Sequence, residues 1–205
     1  MTVWLQALLH MAPGAGCSEF GAWLDHHGRA AVARAGGGVW GLWDGRPGLG
    51  FGSDEALLVT TWPDDAAAGA AVEMLKACPH VVGIEGTPLH ATVRPADDTP
   101  ASGKGIYVFR EFFVPDGKVE RFIDLSAEAW TSFERNFAAE IKGLFRGPNL
   151  SADLAILLLV TRYEDLATWE ASRSETKDPD AWQRFRERQA LTSWTRARSA
   201  ALVDL

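Results

Sequence analysis

The chain has 205 residues, of which 47% are hydrophobic and 23% charged, so it is long enough for one large domain or two domains of about 100 residues. Its net charge of −7, without long acidic runs or clustered Lys and Arg, argues against a nucleic-acid groove and against a polybasic membrane patch. The two cysteines lack CxxC spacing, which argues against a disulfide framework and a zinc ribbon and favours a reducing cytoplasm.

The first half of the chain predicts the element order βαββαβ. A strand at 3–11 leads through a turn to a helix that begins near Ser18, a good N-cap residue, and ends near Arg34, before three glycines. The elements that follow are strands at 39–44 and 55–62, a helix at 64–77 and a strand at 84–94.

The second half predicts the same order. Its longest apolar run, LAILLLV at 154–160, is too short to cross a bilayer and is typical of a buried strand. The predicted elements are a strand at 105–114, a helix within 118–136, strands at 138–146 and 153–162, helical segments at 164–174 and 179–191, and a strand at 194–203. The Pro- and Asp-rich segment at 95–104 predicts an exposed linker.

Three segments of the first half recur in the second at offsets of 101 to 103 residues. VWGLWDG at 39–45 matches IKGLFRG at 141–147, LLVTTWPD at 57–64 matches LLVTRYED at 158–165, and WLQALLHMAPG at 4–14 aligns with YVFREFFVPDG at 107–117. The common order indicates two copies of one supersecondary unit.

A βαββαβ unit forms a four-stranded antiparallel sheet with both helices on one face. The strands here carry apolar residues on both faces, so each sheet needs a second partner. We therefore predict an α+β fold of two tandem ferredoxin-like repeats packed sheet to sheet within one chain. Residues 1–94 are assigned to repeat one, 95–104 to the linker and 105–205 to repeat two.

This pattern resembles the dimeric α+β barrel superfamily, in a form where two fused repeats replace two subunits. Residues 17–37 resemble the first helix of EthD-like proteins at Trp23, His27, Gly28 and Gly36, and the second half is similar to NIPSNAP-type sequences at VPDGKVERF and DAWQRFRERQ. The resemblance implies kinship with cofactor-independent monooxygenases, isomerases, decarboxylases and haem enzymes, and it selects no single reaction.

The histidines point to the first half as the place for acid–base chemistry. All five lie there, at positions 10, 26, 27, 80 and 90. By contrast, 15 of the 20 Lys and Arg residues lie from Lys104 onward, where the charge pattern indicates a solvated surface. His27 lies four residues after Trp23, on one helix face, and is the candidate general base; the alternative is a helix histidine bonded to a neighbour or to solvent.

His10 and His90 are further candidates, because the first and last strands of a βαββαβ unit are neighbours and the two imidazoles could meet. The alternative is that both are strand-edge polar residues. No third ligand completes a metal site, and no Gly-rich loop precedes a helix as a phosphate site would require, so no cofactor is predicted.

Nine tryptophans could line a pocket for a flat apolar ligand, and core packing is the alternative for each one. The candidate ligand-binding residues are Trp23, Trp40, Trp43 and Trp62, which places the expected pocket between the 18–34 helix and the sheet of repeat one.

The leading hypothesis is a cytoplasmic, cofactor-independent enzyme that acts on a small apolar or aromatic molecule. Two alternatives stay open: a non-catalytic module that binds a small molecule or forms a homo-oligomer, and a haem-binding protein.

Overall fold

The computed structural model describes residues 2–205, apart from the side chain of Pro47. In the first half the elements are β1 (Val3–Met11), α1 (Cys17–Trp23), a π-helical turn (Leu24–Gly28), α2 (Arg29–Arg34), β2 (Gly38–Leu49), β3 (Glu55–Trp62), α3 (Asp65–Leu75) and β4 (Val81–Ala91). In the second half they are β5 (Ile106–Pro115), a 3₁₀ turn (Asp116–Lys118), α4 (Val119–Asn136), β6 (Ala139–Ser151), β7 (Leu154–Tyr163), α5 (Leu166–Ala171), α6 (Pro179–Ala190) and β8 (Trp194–Leu202).

The strands are hydrogen-bonded in the order β1-β3-β2-β8-β5-β7-β6-β4, and the sheet closes on itself. The pairings within each unit are antiparallel, for example β1 with β3 and β5 with β7. The predicted α+β fold class is confirmed, and the antiparallel sheet of the structure is closed.

Two compact units divide the chain, and their boundaries cross the predicted repeats. The first unit contains the chain as far as His90 together with Asp97–Gly103 and Ser199–Leu205; the second contains Ala91–Ala96 and Lys104–Arg198. The end of β8 therefore completes the first unit, where Val203 N donates to Leu42 O at 2.8 Å. In the second unit, Thr92 N donates to Leu144 O at 2.9 Å.

The segment between β4 and β5 contributes to both units. Asp97 and Asp98 are exposed. Arg94 and Ala101 nevertheless take part in backbone hydrogen bonds, Arg94 O accepting from Leu144 N and Ala101 N donating to Trp40 O.

The helix predicted over 18–34 is interrupted by the π-helical turn at Leu24–Gly28. Its buried residues include Phe20, Leu24, Gly28 and Val32, which follow one another at a spacing of four. Because this stripe faces the core, His27 lies beside it and not on it, and the side chain of His27 is exposed.

The repeated strand motif has the same packing in both units. Each strand has a register irregularity at its glycine, between Val39 and Gly41 and between Ile141 and Gly143. A Cβ atom on Gly41 would overlap the ring of Trp43, and one on Gly143 would overlap the ring of Phe145. Glycine is therefore required two residues before the aromatic ring, because both aromatic rings are buried and have no room to move.

The repeated aspartate has a matching role at the end of the next strand. Asp64 accepts a hydrogen bond from Ala67 N at 2.8 Å at the start of α3, and Asp165 accepts one from Thr168 N at 2.6 Å at the start of α5. Each side chain caps a helix N-terminus and so fixes where the chain turns from strand to helix.

We expect Gly41→Ala and Gly143→Ala each to lower the free energy of unfolding by about 1–3 kcal/mol, because the added methyl group must displace a buried ring. The control is Gly69→Ala in α3, where no atom lies within 4 Å of the added carbon and the helix gains about 0.5–1 kcal/mol. Urea unfolding measures all three, and a stability loss in Gly69→Ala as large as in the other two would contradict the explanation.

Candidate functional site

The predicted site residues of the first unit do not come together in a single site. His27 is exposed, and its ring centroid lies 6.3 Å from that of His26. The two imidazoles line a shallow surface depression together with the half-buried Trp23 and with His80. The role of His27 as a general base stays a prediction, since it lies on the surface and not in a cleft against the sheet.

His10 and His90 do not meet. The β1–β4 register pairs His10 with Gly83 and Val3 with His90, so the two histidines occupy opposite ends of the ladder. His10 Nε2 lies 3.0 Å from Glu85 Oε1, and His90 Nε2 lies 3.1 Å from Asp65 Oδ1. The hypothesis of a His10–His90 pair is therefore wrong, and each histidine has an acidic neighbour instead.

The predicted ligand-binding tryptophans of the sheet are core residues. Trp40, Trp43 and Trp62 are all buried; the ring centroids of Trp40 and Trp43 are 5.6 Å apart, and Trp62 Nε1 donates to Thr60 Oγ1 at 2.8 Å. Of the three, Trp62 packs in the core between the sheet and the helices of the first unit, with Val32 and Ala68.

The second unit contains an inner cavity of about 280 Å³. One wall is the helix-facing side of the sheet, and the other walls come from α4, α5 and α6. The sheet residues that line the inner cavity are Val108, Arg110, Ile141, Leu159, Thr161 and Tyr163. The helical and loop residues are Trp130, Phe133, Trp169, Ser172, Arg173, Trp182, Phe185, Arg186, Arg188 and Gln189.

The lining is aromatic around a small polar group. Six of the residues are Trp, Phe or Tyr, and the Phe133 ring meets those of Tyr163 and Phe185 edge to face at 6.3 and 5.6 Å. Such a wall favours a flat apolar ligand, and the volume suits a compact one.

Arg188 is the most buried charged group of the inner cavity, with 5% of its surface exposed. Its guanidinium lies over the rings of Phe112, Phe185 and Phe122 at 4.7, 4.9 and 5.2 Å, and Nη1 donates to Ser126 Oγ at 3.2 Å. Burial, and next the charge of Arg110, lower the pKa of Arg188 to about 9, so it is still charged at neutral pH.

Tyr163 is a titratable group of the inner cavity that interacts with both Arg110 and Arg188. Burial raises the pKa of its phenol, while Arg110 and Arg188 and the hydroxyls of Ser172 and Thr161 act in the opposite direction. The phenol is therefore protonated at neutral pH and can donate a hydrogen bond to an oxygen atom of a ligand.

The sequence reading missed Arg188 because the charged α6 segment was interpreted as a solvated surface. Ala181, Phe185 and Arg188 are spaced as i, i+4 and i+7, so the arginine occupies the core-facing stripe of its helix. Arg110 likewise shares a strand face with Val108 and Phe112. For both Arg188 and Arg110, the sequence signal of burial is a charged residue at a position where the periodic pattern calls for an apolar one.

Solved structures with the same fold cover nearly the whole chain, whereas no family model and no curated protein matches it. An anthrone oxidase-like protein has a TM-score of 0.64 at 13% identity, over 99% of this chain and 92% of its own. A chlorite dismutase from Candidatus Nitrospira defluvii, in complex with imidazole, has a TM-score of 0.61 at 9% identity, over 99% and 91%. A heme-degrading enzyme from Listeria monocytogenes has a TM-score of 0.50 at 10% identity, over 98% and 99%.

These neighbours are ferredoxin-like proteins of the dimeric α+β barrel kind, and at such low identity they show the fold alone. The EthD-like and NIPSNAP-like assignments stay predictions. Within residues 2–205, no helix is both long and apolar enough to span a membrane, and no cluster of three or more His, Cys, Asp or Glu side chains is placed to hold a metal ion.

We expect Arg188→Met to leave the melting temperature unchanged or to raise it. The substitution loses ring contacts worth up to about 2 kcal/mol, but it removes the cost of burying an ion, which is several kcal/mol. Because the pKa of Arg188 is lowered to about 9, that cost is present below this pH and is relieved as the pH rises through it. The stability difference between Arg188→Met and wild type should therefore shift in favour of wild type above about pH 9.

The control for this measurement is Arg94→Met. Arg94 lies 5.2 Å from the Trp130 ring but also bonds to Glu134 at 2.7 Å, so its removal leaves a half-buried carboxylate without its cation. Calorimetry should show a lower melting temperature for Arg94→Met, and an equal loss in both variants would contradict the view that Arg188 is costly.

Proposed function

We propose that this chain is a small-molecule protein whose second unit binds a compact aromatic or apolar compound in the inner cavity. The observation that carries the proposal is the aromatic lining, with the buried Arg188, the half-buried Arg110 and Tyr163 among its polar groups. Ligand sites typically combine a mostly apolar wall with a few polar groups that fix the orientation of the ligand. The fold neighbours include proteins named as an oxidase-like protein, a chlorite dismutase and a heme-degrading enzyme, which also deal with small molecules.

The chemistry that the inner cavity offers is proton transfer. Burial holds the phenol of Tyr163 in its protonated form, so it can donate a hydrogen bond or a proton to an oxygen atom of a bound ligand, as a general acid does. This is the enzymatic form of the proposal, and it replaces His27 as the proposed catalytic residue. The alternative form of the proposal is ligand binding without catalysis in the same cavity. Tyr163→Phe distinguishes the two forms: a variant that still binds the ligand but no longer turns it over supports the enzymatic form.

Haem does not fit the donor set of the inner cavity. Protein ligands to haem iron are the side chains of His, Cys, Met or, as a phenolate, Tyr. Among the described lining residues only Tyr163 is of these types, and burial holds its phenol in the neutral form. We therefore derive no chemistry from haem at this site.

A haemin titration tests this conclusion. We expect no shifted Soret band that depends on Tyr163. A band that appears with wild type and disappears with Tyr163→Phe would place the iron in the inner cavity and contradict us.

Blocking the inner cavity tests the proposal directly. Val108 is buried and lines it, so the ring of Val108→Phe should enter the void with little loss of stability and should abolish ligand binding. A thermal-shift screen of aromatic compounds, followed by titration of the hits, measures the effect in both proteins.

His27→Ala serves as the comparison, because its side chain is exposed and lies outside the inner cavity. Hits that bind equally to Val108→Phe and wild type, but no longer bind to His27→Ala, would move the site to the first unit and overturn the proposal.

A further inference from the structure

The two inner arginines of the inner cavity, Arg110 and Arg188, have no acidic partner among the described residues. The pKa of each is lowered by burial first, and the charges that act on them are those of Tyr163 and of other arginines. No ion pair at 4.0 Å or less joins Arg110 or Arg188 to a described carboxylate, and Arg188 Nε is buried without a hydrogen-bond partner.

The arginines at the mouth of the inner cavity differ in this respect. Arg186 Nη1 pairs with Glu175 Oε2 at 2.5 Å, and Arg173 Nη1 lies 3.9 Å from Glu170 Oε2. Both side chains are well exposed. The exposed arginines at the mouth are thus paired with carboxylates, whereas Arg110 and Arg188 inside the cavity are not.

Such an arrangement is unfavourable without a ligand. Arg188 is a buried charge without an acidic partner, which is unfavourable, and the like charge of Arg110 adds to that cost. The guanidinium of Arg188 is nevertheless held in place, between three aromatic rings and the Ser126 hydroxyl. A guanidinium fixed in this way is suited to carboxylate recognition, because its geometry is already set before the anion arrives.

We infer that the ligand of the inner cavity is an aromatic acid, whose carboxylate or similar anionic oxygen group is held by Arg110 and Arg188 while its rings lie against the tryptophans and phenylalanines. The inference rests on the proposed function and adds the charge of the ligand to it. The phenol of Tyr163, which interacts with both arginines, is placed to donate a hydrogen bond to the same anionic group.

Two probes that differ only in charge test the inference. 2-Naphthoate carries a carboxylate and 2-naphthamide carries a neutral amide of the same shape, and both are titrated into the protein by calorimetry at pH 7. We expect the naphthoate to bind at least about tenfold more tightly, since hydrogen bonds to a charged partner are stronger and the inner charges are then compensated.

Arg188→Met should remove the preference, so that the two probes bind with similar affinity. The matched control is Arg184→Met, one turn earlier on α6, where the side chain pairs with Glu128 at 2.8 Å and does not line the inner cavity. That variant should keep the wild-type preference. Circular dichroism and the melting temperature verify that both variants are folded.

The outcomes separate the two proposals. If both probes bind wild type equally and Val108→Phe blocks them, the inner cavity is a ligand site but the inference about charge is wrong. If neither probe binds, but hits of the thermal-shift screen bind wild type and are blocked in Val108→Phe, the inference about the aromatic acid is wrong and the proposed function stands. If inorganic phosphate or chloride binds as tightly as the naphthoate and displaces it, the arginines form a simple anion site, and the aromatic acid is overturned.

Discussion

The need to cover one apolar face of each sheet with helices determines the rest of this structure. In the first unit, Ala7 and Trp62 are both buried in the core between the sheet and the helices. In the alignment of the two halves, these positions correspond to Arg110 and Tyr163, which border the inner cavity. The same backbone plan therefore closes its core in one unit and leaves a polar void in the other. Cavities of this kind are set by the side chains at a few positions and not by the order of the elements.

The architecture was readable from the sequence because its signals are local and repeated. Gly41 and Gly143 must lack a Cβ atom so that the aromatic ring two residues later can pack, and Asp64 and Asp165 both cap helices. Each constraint acts within a few residues, so it leaves a recognisable motif twice. The π-helical turn at Leu24–Gly28 was not readable, because it depends on how the helix packs against the sheet.

The location of the candidate site was less accessible to sequence reasoning. All five histidines lie in the first half of the chain, but His27 is exposed, whereas the buried charge is Arg188. A helix with many charges usually presents them to water, and only the spacing of Arg188 from Ala181 and Phe185 reveals its position on the inner face. The lack of an acidic partner at Arg188 depends on contacts between α6, α4 and β5. No local sequence pattern encodes such contacts, so this property could not be predicted.

The exchange of chain segments between the units has a consequence for how the protein folds. The strand that completes the first unit comes from Ser199–Leu205, so Leu42 must find Val203 after the whole second unit has been synthesised. Closing so long a loop is entropically costly and slows folding. On the ribosome, the first ninety or so residues would emerge with the backbone of Leu42 unpaired at the edge of β2, and an unpaired strand edge invites association with other chains. Early protection of that edge, by the helices of the first unit or by a chaperone, would therefore govern the yield of native protein.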